Sequence, residues 1–310
     1  MLRNKRGVFF TTIVIIILAL FYMSFTFYPK TEERKNVRER IITMNNFVFS
    51  IEEDMSRQIY ISGHRAILSI ESYILDQGNY IPDAEGALNE ALINGTIYSQ
   101  NMSLMEGYKL EEWKKRVTDL GDKLNLEVNY TILNVTIEQD NPWDVKISTT
   151  INISIEDKGK LASWKKVSII ISRVKVEGFE DPLYLINSNG LISNVIKKTK
   201  YSAFVSGSDI SNLSAHTTNS YYIASSSAPS FIDRLEGKLT SNQQGIESLI
   251  DVAQFSGQGV SPKDKSVVDY IYFSTNNPSS CTVTPPGMPS WFKLDDSHLS
   301  TYQVSWVAGC

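Results

Sequence analysis

The first thirty residues constrain the fold of this 310-residue chain more than any other stretch. A short basic segment ends at Gly7, and the run from Val8 to Tyr28 that follows contains no charged residue. At about 1.5 Å of rise per residue, a helix of this length crosses the roughly 30 Å hydrocarbon core of a bilayer. The sequence therefore predicts a basic leader over residues 1–7 and a transmembrane helix over residues 8–28.

Three interpretations of this segment compete. A cleavable secretory signal has a shorter apolar core and a small residue at its cleavage site, whereas the core here ends in Phe27 and Tyr28 and is followed by Pro29 and Lys30. A signal anchor that stays on the chain fits both the length of the core and its basic flank. The third interpretation places a cleavage site before the apolar core, at Gly7.

The third interpretation is based on a resemblance. The sequence Lys5-Arg6-Gly7, followed by Val8-Phe9-Phe10-Thr11, resembles the leader junction of type IV pilin-like proteins, including minor pilins, pseudopilins and archaeal relatives. The resemblance implies cleavage between Gly7 and Val8 by a prepilin peptidase on the cytoplasmic side. It also implies assembly machinery and other pilin-like subunits as partners, with the apolar helix retained.

Two positions near the junction bear on this resemblance. Cleavage after Gly7 would place Pro29 where pilins commonly carry a proline that kinks the helix. Thr12 stands where many bacterial pilins have a glutamate that is thought to pair with the amino terminus of a neighbouring subunit. This departure is compatible with some minor pilins and with archaeal pilin-like proteins, and it argues against self-assembly into a major filament.

The basic leader predicts a cytoplasmic amino terminus and an extracellular carboxyl-terminal domain, although basic residues just after the helix weaken the signal. Membrane lipid is then a partner. The formal net charge is −4, which gives no basic footprint for nucleic acid. Six Asn-x-Ser/Thr sequences agree with an exported, glycosylated surface. Their acceptor residues are Asn94, Asn101, Asn129, Asn134, Asn152 and Asn212.

The stretch from residue 29 to residue 200 reads as a helix followed by an antiparallel sheet. Apolar residues recur at three- and four-residue steps from Thr31 to about Leu75, which predicts an amphipathic helix with one interruption at Gly63. A second helix is expected to end near Gly121. Three alternating strands then predict a β-meander, with a phase slip near Leu133. The helix could cover the apolar face of this sheet, or form a coiled-coil stalk, and the width of its stripe favours the sheet.

The last stretch, residues 201–310, is rich in Ser and Asn and predicts a loop-rich surface region. A strand is expected over Val267 to Phe273. The two cysteines, Cys281 and Cys310, are either a disulfide or two free thiols, and pilins often close a carboxyl-terminal loop with such a bridge. The segments FEDPLYLIN and APSFIDRLEG resemble stretches of uncharacterised archaeal pilin-like membrane proteins.

The sequence contains no recognisable catalytic or metal-binding motif. The three histidines are far apart, and the chain lacks the common zinc, P-loop, dinucleotide and nucleophile-elbow motifs. Asp295-Asp296-Ser297-His298 offers ligand atoms, but its spacing favours a solvated polar loop. We therefore predict no catalytic, cofactor-binding or metal-binding residues, and a protein that is not an enzyme.

Taken together, the sequence predicts an α+β protein of pilin-like architecture. Its long amino-terminal helix would be transmembrane in its first part and amphipathic in its second part, where it packs on an antiparallel β-meander. The function expected is that of a structural or assembly subunit that is anchored by its amino-terminal helix and can be incorporated into a surface filament. The alternative is a membrane-anchored extracellular binding or adhesion domain.

Overall fold

A computed structural model describes residues 5–275 and 281–304, with the side chains of all of these except residues 5–8 and 27–33. Its helices are α1 (Lys5–Gln77), α2 (Ala84–Asn94), α3 (Leu110–Lys123), α4 (Pro182–Asn187), α5 (Ser211–Thr218), α6 (Phe231–Leu235), α7 (Val252–Gly257) and α8 (Asp269–Phe273). Two short 3-10 helices cover Ser103–Met105 and Asp296–His298.

The strands form one three-stranded sheet and three two-stranded ribbons among the described residues. They are β1 (Thr96–Ile97), β2 (Gln100–Asn101), β3 (Leu126–Asn141), β4 (Asp144–Asp157), β5 (Ser163–Lys175), β6 (Tyr222–Ala224), β7 (Ile246–Ser248), β8 (Thr282–Val283) and β9 (Leu294–Asp295). The large sheet has the order β3-β4-β5, and short connections join its strands as the predicted meander. The expected mixture of helix and antiparallel sheet is thus confirmed.

The burial pattern of the strands follows the alternation in the sequence. Alternate residues of β4 are buried from Val145 to Asp157, and Asn152 lies among the exposed positions between them. In β3 the buried positions change phase at Leu133 and Asn134, both of which are exposed. The predicted slip in the alternation is therefore confirmed.

Helix α3 ends at Lys123, so its predicted end near Gly121 is confirmed. A Cβ atom on Gly121 would come within 2.3 Å of Val128 Cγ2, so this glycine allows close packing at the end of the helix. One prediction of local structure was wrong. Residues of the expected strand from Val267 to Phe273 form helix α8, because Tyr272 and Ser274 donate backbone hydrogen bonds to carbonyls four residues earlier.

The chain divides into two compact units. The first contains residues 1–54, 115–131 and 151–168. In it, Arg40 of α1 donates hydrogen bonds to the carboxylate of Asp157 and to the carbonyls of Leu124 and Asn125. Glu52 accepts hydrogen bonds from Lys166 Nζ at 2.7 Å and from Ser168 Oγ at 2.6 Å on β5. The middle of α1 therefore lies against the sheet in this unit.

The second unit contains residues 55–114, 132–150 and 169–310, within the described range. Here α1 also contacts the sheet, since a Cβ atom on Gly63 would lie 2.4 Å from Ile147 Cδ1 and 3.0 Å from Val174 Cγ2. The predicted cover of the sheet by the long helix is present at this point, and Gly63 permits the close approach.

The carboxyl-terminal part of this second unit has short elements and an extensive hydrophobic core. Nineteen buried residues between Leu183 and Val304 form one cluster, which includes Tyr184, Phe255, Tyr272 and Phe292. The region is rich in loops, as expected, and many of its apolar and aromatic side chains are fully buried.

Candidate functional site

The amino-terminal part of α1 is the candidate membrane segment. Its window Phe9–Thr26 is long and apolar enough to cross a bilayer, and none of it is buried inside the protein. Large side chains such as Phe10, Tyr22 and Phe25 are between 67% and 79% exposed. Exposing so much apolar surface to water is unfavourable, and a lipid environment would remove this cost.

The predicted processing site lies at the start of this helix. Gly7 and Val8 belong to the helical backbone of α1, and their side chains lie outside the described residues. Pro29 is also within the helical span. Cleavage after Gly7 and a kink at Pro29 therefore stay predictions.

The six candidate glycan acceptors share one property, which is solvent exposure. They lie on α2, β2, β3, β4 and α5, and each asparagine is exposed: Asn94, Asn101, Asn129, Asn134, Asn152 and Asn212. Asn212 also donates a hydrogen bond from Nδ2 to the carbonyl of Ala203 at 2.8 Å. Exposure makes all six sterically available to a glycosylating enzyme, and their occupancy stays a prediction.

The two segments singled out by their resemblance meet in the core of the second unit. FEDPLYLIN contributes Asp181, which caps α4 by accepting a hydrogen bond from Leu183 N at 2.9 Å. APSFIDRLEG contributes α6, where Ser230 and Asp233 form a capping box. The rings of Phe179 and Phe231 stack at 5.9 Å, and Arg234 Nη1 donates a hydrogen bond to Asp181 Oδ2 at 2.5 Å.

A second carboxylate completes this buried charge cluster of Asp181, Arg234 and Asp269. Arg234 Nη1 and Nη2 donate to the oxygens of Asp269 at 3.0 and 3.3 Å, and Nη2 also donates to the carbonyl of Ile246. All three charged side chains are 0% exposed. Burial acts to lower the pKa of Arg234, but the negative charges, with Asp181 foremost, outweigh it and hold the guanidinium protonated.

Hydroxyl groups surround the buried charge cluster and satisfy its oxygens. Tyr222 Oη donates to Asp181 Oδ2 at 2.7 Å, and Ser248 Oγ donates to Asp269 Oδ2 at 2.7 Å. Because Ser248 donates to the carboxylate, Tyr184 Oη is the donor in its 2.9 Å bond with Ser248. The cluster is thus hydrogen-bonded on several sides, which offsets part of the cost of burying charge.

A second buried polar group surrounds His298. Its Nδ1 donates to Asp295 Oδ1 at 2.7 Å, and its Nε2 lies 3.0 Å from Tyr270 Oη and 3.4 Å from Glu247 Oε2. Burial opposes protonation, yet the hydrogen bonds and charges of Asp295 and Glu247 raise the pKa of His298 to about 10. Burial acts to raise the pKa of Asp295, but its hydrogen bonds with His298, Ser266 and Ser297 lower the pKa to about 2.

The prediction that Asp295-Asp296-Ser297-His298 is a solvated polar loop was therefore wrong at two positions. Asp295 is 0% and His298 is 3% exposed, because β9 and the following 3-10 helix place them inside the carboxyl-terminal core. Within the described ranges, no group of three or more His, Cys, Asp or Glu residues could hold a metal ion.

Sequence reasoning missed the chemical role of Arg234 and Asp269, which lie 35 residues apart. A local signal was present, since Arg234 stands in the apolar context Phe231–Leu235 and Asp269 precedes the apolar run Tyr270–Phe273. A charge in such a context is a candidate for burial with a partner. The disulfide prediction concerns Cys310, which lies outside the described residues, so its pairing with Cys281 stays a prediction.

Both polar clusters lie out of contact with solvent, so dissolved molecules cannot reach them without a change of conformation. Their chemistry is that of internal ion pairs between segments that are separated in the chain. No protein-family model, curated protein or solved structure matches the chain.

Proposed function

We propose that this protein is a pilin-like subunit, anchored in the membrane by α1 and incorporated into a surface filament or its tip. The observation that carries the proposal is the two-part character of α1. Its first part presents apolar side chains on all sides and is unburied, whereas its later part packs on an antiparallel sheet.

The leader junction supports the same proposal. A basic segment that ends in Gly7 directly before the apolar helix is what a prepilin peptidase would cleave, and the helix would then remain on the mature chain. The amino terminus would be cytoplasmic and the sheet-containing part extracellular, where the exposed acceptor asparagines could carry glycans. Other pilin-like subunits and the assembly machinery would be the partners.

The experiment is amino-terminal sequencing of the protein from membrane and surface fractions of its native host. We expect a chain that begins at Val8, and we expect Gly7→Val to leave the leader in place and remove the protein from surface fractions. The matched control is Gly257→Val, at a helical glycine around which a Cβ atom would meet nothing within 4 Å. A wild-type chain that still begins at Met1 would overturn the proposal.

The second candidate is an extracellular binding or adhesion domain on an uncleaved anchor. Thr12 is compatible with it, because the residue stands where many bacterial pilins carry the glutamate that is thought to act in filament assembly. On this proposal the leader stays on the chain, and Gly7→Val changes neither the amino-terminal sequence nor the location of the protein.

A further inference from the structure

One surface of the second unit is rich in lysine and aromatic side chains. No acidic residue occurs between Pro182 and Ser208, although the chain has 34 Asp and Glu residues against 30 Lys and Arg. This acid-free stretch contains Lys197, Lys198 and Lys200, and all three are exposed. Positive charge is therefore concentrated on this segment, although the chain as a whole is negatively charged.

Backbone hydrogen bonds bring this segment to the end of β5. Gly178 N donates to the carbonyl of Ile196 at 3.0 Å, and Tyr222 N donates to the carbonyl of Lys197 at 2.8 Å. Val176 N donates to the carbonyl of Trp143 at 2.9 Å, which adds the exposed Lys175 and a half-buried indole to the same area. The resulting lysine–aromatic surface consists of Trp143, Lys175, Lys197, Lys198, Lys200, Tyr201 and Tyr221.

The ammonium groups of this surface lie beside aromatic rings. Lys198 Nζ is 5.2 Å from the centre of the Trp143 ring, and Lys200 Nζ is 5.4 Å from the centre of the Tyr201 ring. The Tyr201 and Tyr221 rings meet edge to face at 6.2 Å. Each ring is only half-buried, so one part of it remains available to a bound molecule.

The charges of the lysine–aromatic surface are not neutralised within the described part of the chain. Several other lysines form ion pairs, namely Lys146, Lys158, Lys166, Lys238 and Lys293. Among the described residues, no carboxylate forms an ion pair with Lys175, Lys197, Lys198 or Lys200. The nearby Glu177 uses Oε1 to accept a hydrogen bond from the backbone of Lys198 at 3.3 Å. Four lysines against the single neighbouring Glu177 therefore leave this surface with an excess of positive charge.

We propose that the lysine–aromatic surface binds an acidic polysaccharide. Ammonium groups attract the carboxylates of uronic acid residues, and the flat face of an indole or phenol packs against the C–H face of a sugar ring. The small number of lysines, the adjacent Glu177 and the net charge of −4 make the surface less suited to the dense charge of a nucleic acid. This proposal does not depend on cleavage after Gly7.

The test measures binding of the detergent-solubilised full chain to immobilised alginate, with neutral dextran and double-stranded DNA as comparison ligands. We expect binding to alginate that weakens as salt is raised, because exposed charges are screened. The triple variant Lys197→Gln, Lys198→Gln and Lys200→Gln should weaken it about ten-fold or more. Trp143→Leu should weaken it as well, since the backbone bond of residue 143 is kept while the indole is lost.

The matched control is the triple variant Lys158→Gln, Lys238→Gln and Lys293→Gln, which removes three lysines that form ion pairs with carboxylates. Its net charge equals that of the test variant, and we expect it to bind alginate like the wild type. Circular dichroism shows whether each variant is folded. If both triple variants lost alginate binding equally, the effect would come from the overall charge of the protein and not from this surface. That result would overturn the proposal. Binding of dextran as strong as that of alginate, or tighter binding of DNA, would also overturn it.

Discussion

Asp181 Oδ2 and Arg234 Nη1 lie 2.5 Å apart in the core of the second unit, although 53 residues separate them in the chain. Asp181 also caps α4, and Arg234 lies within α6. The pair therefore joins two short helices that have few backbone hydrogen bonds of their own. A buried ion pair of this kind tolerates the loss of one partner poorly, because the remaining charge stays desolvated.

Replacing Arg234 by Met should lower the free energy of unfolding by about 3–5 kcal/mol, since it leaves Asp181 and Asp269 buried without their cation. Urea unfolding of the solubilised chain measures the change. The matched control is Arg173→Met, which removes an exposed arginine paired with Asp140 and should cost about 1 kcal/mol or less. Adding Asp269→Asn to Arg234→Met should recover part of the loss. Equal stability of the two single variants would contradict the prediction.

The buried charge cluster also shows what sequence patterns can and cannot reveal. The alternation of β4 and the phase slip at Leu133 were visible because the residues that share a face are neighbours in sequence. Asp181, Arg234 and Asp269 come from three separate short segments, and no local period connects them. Asp295 and His298 were likewise predicted to be solvated. The spacing of residues within a polar tetrapeptide does not show that distant segments form a core around it.

Glu71 should make the protein less stable as the pH rises. It is 7% exposed, and burial, followed by the charges of Glu180 and Asp181, raises its pKa to about 9 from an ordinary value of 4.5. The folded state binds the carboxyl proton of Glu71 more tightly than the unfolded state does. The stabilisation that results from this proton is complete below pH 4.5 and is lost as the pH rises towards 9.

Replacing Glu71 by Gln removes this titration and keeps the shape of the side chain. We expect the variant to be more stable than the wild type above about pH 5, with the difference growing by roughly 1.4 kcal/mol per pH unit until it levels off near pH 9. Urea unfolding at pH 5, 7 and 9 gives the difference directly. If the difference in the free energy of unfolding were the same at all three pH values, Glu71 would be ionised in the folded state and the prediction would be wrong.

The three histidines should titrate very differently. His298 should remain protonated from pH 5 to 8, since its pKa is raised to about 10. His216 should remain neutral over the same range, because burial lowers its pKa to about 4. His64 is more exposed, and burial, followed by the charge of Arg65, shifts its pKa below 6.5 to a smaller extent.

Imidazole ¹⁵N chemical shifts of the labelled protein report all three states in one pH series. Asp295→Asn should lower the pKa of His298, because it removes the charge that accepts the Nδ1 hydrogen bond at 2.7 Å. The same substitution should leave His216 unchanged, since that ring bonds to Thr199 Oγ1 at 3.1 Å. A neutral His298 at pH 7 in the wild type would refute the assignment of its ion pair with Asp295.

The contact of α1 with the sheet at Gly63 can be tested by adding and removing single methyl groups. Gly63→Ala places a Cβ atom 2.4 Å from Ile147 Cδ1, closer than carbon atoms approach without displacement. Overpacking of this kind typically costs about 1–3 kcal/mol, which outweighs the better helix propensity of Ala. Urea unfolding should therefore show a less stable protein.

The double variant Gly63→Ala with Ile147→Val deletes the Cδ1 atom that the new methyl group meets, so it should recover part of that loss, while the 3.0 Å approach to Val174 Cγ2 remains. Gly257→Ala serves as the control for helix propensity alone, because nothing lies within 4 Å of the added atom, and it should change stability by less than about 1 kcal/mol in the favourable direction. If Gly63→Ala stabilised the protein as Gly257→Ala does, the helix would not approach Ile147 closely. Recovery specific to the double variant would instead place Gly63 directly against the β4 side chain, which is the contact that lets the long helix cover the sheet.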